Sequence, residues 1–90
     1  MKVLLISYDL KSKPIDQYIN LYETIKKADV WWHYLESTWL VATELNPKEW
    51  YDKIVSQIHK NDKLLIIEVK PNYYGWLTPE AWEWIQKYLK

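Results

Sequence analysis

The sequence predicts one α+β domain, a four-stranded antiparallel sheet with two connecting helices and an extra helix at its C-terminal end. Three observations carry that expectation. Val3-Leu4-Leu5-Ile6 and Leu64-Leu65-Ile66-Ile67 are uninterrupted apolar runs, the pattern of strands covered on both faces. Between them, residues 31–41 (Trp31-Trp32-His33-Tyr34-Leu35-Glu36-Ser37-Thr38-Trp39-Leu40-Val41) are dominated by aromatic and β-branched side chains broken only by Glu36-Ser37-Thr38, which reads as a hairpin. The remaining segments repeat apolar residues at helical spacing, and two of them open on a cap followed by proline.

In chain order, the first strand runs from Lys2 to Tyr8 and leaves Asp9 just past its end. Residues 10–14 form a polar loop in which Ser12 is the expected cap and Pro14 lies in the first turn of a helix. Ile15, Tyr18, Ile19, Tyr22 and Ile25 then mark one stripe of that helix, which extends to about Ala28. The hairpin places strands near 31–35 and 38–44, and since it contains neither Asn-Gly nor any glycine its turn type stays open. Asn46-Pro47-Lys48-Glu49 is close to a capping box and introduces a helix through Trp50, Tyr51, Ile54, Val55 and Ile58. Lys60-Asn61-Asp62 is a turn before the strand at 63–69. An aromatic loop follows, Asn72-Tyr73-Tyr74-Gly75-Trp76, and Thr78-Pro79-Glu80 starts a last helix that turns Ala81, Trp82, Ile85, Tyr88 and Leu89 inward. All 90 residues make one domain, with a core at 1–69 and an aromatic loop and helix at 70–90.

Composition removes several functional classes. With no cysteine there is no disulfide scaffold, thiolate metal site or thiol nucleophile. No apolar run approaches the roughly 18 residues of a membrane span, and the N-terminus lacks a cleavage-site pattern, so a cytoplasmic protein that avoids membranes is expected. Twelve basic residues, all lysine, balance twelve acidic ones. A duplex-binding protein normally carries a basic excess and uses arginine's planar fork. Lys11 with Lys13 is the pair best suited to phosphate, against the plainer reading of a solvated surface. His33 and His59 sit on different elements without ligand spacing.

Strand, helix, strand, strand, helix, strand is the ferredoxin-like βαββαβ order. The expectation is that the first and last strands pair in the middle of the sheet, with the hairpin outside them. Both connecting helices then cover one face. The hairpin is apolar on both sides, Trp32 and Tyr34 on one and Trp31 and Leu35 on the other, so the second face also needs cover. The last helix with the aromatic loop supplies it, or a second subunit does, and the two are compatible.

The strand ending in Tyr8-Asp9, the helix, the hairpin with Ser37 and then Trp39, and the Asn46-Pro47 helix start together resemble the small CRISPR-associated adaptation protein, the second of its numbered series. They resemble its SinR-like relatives still more, over residues 1 to about 69. The resemblance implies a homodimeric endoribonuclease-like protein in which Asp9 is the catalytic carboxylate and binds Mg²⁺ at a dimer axis. On that reading Lys11, Lys13 and Ser37 contact RNA or DNA. From the residues alone, a single aspartate does not hold Mg²⁺, although its two-fold copy, waters and a phosphate complete an octahedron; the plain alternative is an Asx-type loop cap. Trp31, Trp39, Tyr73, Tyr74 and Trp76 are the expected interface aromatics, for a second copy, a protein partner or a stacked base, with core packing as the alternative. Two functions follow: a metal-dependent nuclease, or a non-catalytic dimeric interaction module that keeps the fold without the chemistry.

Overall fold

A computed structural model describes residues 1–90. Strand β1 (Lys2–Asp9) leads through a 3₁₀ turn (Ile15–Tyr18) into helix α1 (Ile19–Ile25). The hairpin β2 (Val30–Leu35) and β3 (Thr38–Thr43) follows, then α2 (Pro47–Ile54) with a 3₁₀ extension (Val55–Gln57), β4 (Lys63–Glu68) and α3 (Pro79–Tyr88). The four strands form one antiparallel sheet in the order β2-β3-β1-β4.

That order corrects the expected one. β1 and β4 do pair, but β3 shares the middle with β1 while β4 is an edge. The apolar run of β4 explains the error: Leu64 and Ile66 pack against the core, whereas Leu65 is 56 % and Ile67 47 % exposed on the opposite face. An unbroken apolar run marks a strand, and covering both faces takes neighbours that β4 lacks. The doubly covered strand is β3, where Trp39, Leu40, Val41 and Ala42 are all buried.

Helices α1 and α2 cover one face. Tyr18, Leu21, Ile25, Trp50 and Ile54 close over Leu4, Ile6, Trp39 and Val41. Trp39 lies at the centre, 1 % exposed, with its indole Nε1–H donating to the Tyr8 hydroxyl at 2.8 Å and the His33 ring stacked on it at 3.7 Å between centroids. The other face is partly covered by α3, whose Ala81, Ile85 and Leu89 pack on Val3, Trp32 and Leu40. The Trp32 Nε1–H donates to the Ala81 carbonyl at 3.1 Å and ties the helix to the hairpin.

Local signals decide the helix ends. Glu49 reaches back to the Asn46 N–H at 3.0 Å, and the Thr78 hydroxyl accepts from the Ala81 N–H at 3.4 Å. The first helix differs from expectation: Pro14, not Ser12, precedes its opening turn, no side chain caps it, and the α-helix stops at Ile25. Leu35 also changes sides. A register irregularity between Trp32 and Leu35 breaks the alternation, so Leu35 lines a groove with Trp32 and Leu40 instead of facing the way of Trp31.

Candidate functional site

The antiparallel register brings several chemistry-bearing residues to one end of the sheet. Ser7 stands opposite Thr38 and Asp9 opposite Lys63, so the exit of β1, the hairpin turn and the start of β4 share that end. The Ser37 carbonyl accepts from the Tyr8 N–H at 3.1 Å and from the Ser7 hydroxyl at 3.4 Å, and Ser7 Oγ lies 3.2 Å from Thr38 Oγ1. Asp9 and Lys11 thus lie at the same end of the sheet as Ser37, which is engaged there through its backbone carbonyl with Ser7 and Tyr8.

Asp62, absent from the expected site, organises this end. Its Oδ1 accepts the backbone N–H of Lys11 at 2.8 Å and of Ser12 at 3.0 Å; its Oδ2 accepts the Tyr18 hydroxyl and the His59 N–H, each at 2.8 Å. The residue is only 7 % exposed. Burial alone raises a carboxyl pKa, but here these four bonds outweigh it and hold the group well below the usual carboxylate range. Tyr18 also accepts the Lys13 N–H at 3.2 Å, so residues 11–13 are pinned through one buried anion. Burial and the bond to Asp62 push the Tyr18 phenol up. The sequence offered only a turn at Lys60-Asn61-Asp62. Three of the four partners of Asp62 lie 44 to 51 residues away and leave no local pattern.

Asp9 proves less engaged. It does not cap its loop, a job that falls to Asp62, and its Oδ2 lies 3.4 Å from the Lys11 ammonium with both side chains mostly exposed. Nowhere do three or more His, Asp or Glu side chains cluster to hold a metal ion. For Mg²⁺, which needs several hard oxygen donors, the residues of one chain do not fit: Asp9 is one carboxylate, and a lysine competes for it. Tyr8 is no general base. Burial pushes its phenol up to about 12, against the opposing effect of the Trp39 hydrogen bond, and its hydroxyl points at the core.

The expected interface aromatics divide. Trp39 has no surface to offer, because it fills the core; the cue that marked it, an aromatic after the hairpin turn, is equally a core cue. Trp31 is 41 % exposed on the α1 side, where the Lys26 ammonium sits 5.5 Å from its ring. Tyr73 stacks on Trp82, and Tyr74 and Trp76 are fully exposed. These loop residues flank a groove of about 280 Å³ lined by Leu5, Leu35, Leu40, Tyr73, Leu77 and Trp82. Trp76 and Tyr34 border an adjoining depression. The α3 side is therefore closed at its centre and apolar around it. A depression of about 420 Å³ lies at the other end of the sheet among mixed charges, Lys27, Lys53, Asp29 and Glu44, and contains none of the expected site residues.

No family model, curated protein or solved structure matches this chain.

Proposed function

We propose that this chain is a non-catalytic homodimeric interaction module on a ferredoxin-like βαββαβ scaffold. The observation that supports it is the apolar surface on the α3 side: Leu65 and Ile67 of β4, Leu35 and Tyr34 of the hairpin, and fully exposed Tyr74 and Trp76. Burying several such side chains stabilises an association by about 1.5–3 kcal/mol each before the cost of losing free motion, enough for a micromolar dimer. Balanced charge leaves no net repulsion between copies. Light scattering on a concentration series is expected to show a dimer at micromolar protein, and a single-chain mass at every concentration would refute the reading.

A second reading, a nucleic-acid-associated nuclease of the adaptation-protein type, is favoured by Asp9, Lys11 and Ser37 lying at one end of the sheet, with Lys13 on the loop that follows β1. It requires a second copy to bring its own Asp9 to a shared Mg²⁺. Asp9→Asn tests it with RNA and DNA under Mg²⁺, Mn²⁺ or EDTA. The interaction-module reading predicts no metal-dependent cleavage by wild type and an unchanged denaturation midpoint in the variant, because Asp9 is exposed. Cleavage that vanishes in Asp9→Asn would install the nuclease instead.

A further inference from the structure

β4 ends the sheet with an unprotected edge. The Val69 N–H donates to the Val3 carbonyl at 3.1 Å, and in that register the odd residues of β4 face β1 with their backbone groups. Leu64, Ile66 and Glu68 therefore turn N–H and C=O outward. Proteins blunt such edges with proline, bulges or central charges. The opposite edge, β2, has its irregularity between Trp32 and Leu35. β4 pairs regularly with β1 along its whole length, contains no proline and carries charge only at its two ends, Lys63 and Glu68.

We propose that a second copy of this chain adds to the β4 edge, antiparallel, about a two-fold axis through Ile66. This rests on the homodimer reading above and specifies its geometry: of the apolar surface on the α3 side it buries the β4 pair, Leu65 and Ile67, while Leu35 and Tyr34, on the opposite edge strand, stay outside the seam. Two four-stranded sheets become one of eight strands. An axis normal to the sheet keeps each face with its like, so Ile66 meets Ile66 of the copy, Leu64 meets Glu68, and Leu65 meets Ile67. The last pair is the exposed apolar pair of β4, and each member covers the other. The antiparallel direction brings the exposed pair together: it sets Leu65 against Ile67 of the copy twice, once on each side of the axis, while Lys63 and Glu68, on opposite faces of the strand, stay at the two ends of the seam. The apolar match is a property of this strand against itself about the two-fold axis, which makes a second copy the occupant.

The geometry also separates the two functional readings. With about 3.4 Å per residue and about 4.8 Å between strands, the two Asp9 Cα atoms in this dimer lie about 25 Å apart. One cation cannot bridge them. A β4-edge dimer and a shared Mg²⁺ site exclude each other.

Two variants test the mode by sedimentation and non-reducing electrophoresis. Glu68→Pro deletes an outward N–H without touching the bonds to β1, and an edge strand tolerates proline there. It is expected to sediment as a monomer with wild-type circular dichroism. Leu65→Cys/Ile67→Cys places thiols in a chain that has none, at facing non-hydrogen-bonded positions about 4.5 Å apart between Cα atoms, within disulfide range. Mild oxidation is expected to convert most of it to a covalent dimer, and this result decides the matter where the proline variant unfolds. A wild-type dimer with a dimeric Glu68→Pro and no cross-link overturns the edge mode while leaving the homodimer reading intact. A monomeric wild type overturns both.

Discussion

Trp39→Ala is expected to cost about 3–5 kcal/mol, the range for truncating a buried large aromatic. Against a total stability of about 5–15 kcal/mol for a domain, that leaves the variant at or below the margin of folding. The indole fills the space between the sheet and α1, gives the Tyr8 hydroxyl its hydrogen bond and carries the His33 ring. Its removal opens a cavity and strips the partner from a phenol that is nine-tenths buried. Urea midpoints with unchanged slope measure the loss. A change below about 1 kcal/mol would contradict the placement of Trp39 in the core.

Asp62→Ala is the other large effect. The carboxylate holds the loop at 11–13, the Tyr18 hydroxyl and the turn before β4, and hydrogen bonds to an ionised group contribute about 1.5–3 kcal/mol each, though not additively. A loss of at least about 3 kcal/mol is expected. Because the folded state holds this carboxyl below the usual range, the unfolded state binds more protons as pH falls below about 5. The stabilisation is fully present above the unfolded carboxyl's value near 4 and disappears on further acidification. Urea midpoints measured from pH 7 to pH 2 should therefore fall steeply for wild type. Asp62→Asn keeps the shape but turns its NH₂ group toward an N–H donor in either orientation, and its acid limb should be shallower. An equally steep limb in Asp62→Asn would assign the acid sensitivity to other carboxylates.

The helix starts were legible because capping is local: Asn46, Pro47 and Glu49, and Thr78 with Pro79, carry their partners within a few residues. The need to cover a hairpin apolar on both sides was legible, and α3 supplies part of that cover; Trp39 was expected at the interface with core packing as the alternative, because an aromatic after a turn reads the same in either place. Position within the sheet did not follow, since Leu64 to Ile67 have the same composition at an edge as at the centre. Leu35 was misplaced because its irregularity has no glycine or proline to announce it. At the candidate site, Asp9, Lys11 and Ser37 were legible as polar residues at strand ends. The organiser was not, because three of the four partners of Asp62, Lys11, Ser12 and Tyr18, come from a distant segment that only the folded chain brings around one carboxylate.

Sedimentation equilibrium of the wild-type chain over about 1–200 µM tests the central claim most directly. Self-association through the apolar surface beside α3 predicts a reversible monomer–dimer equilibrium whose mass rises toward twice 11.1 kDa, with no larger species. A single species of 11.1 kDa across the whole range would contradict it.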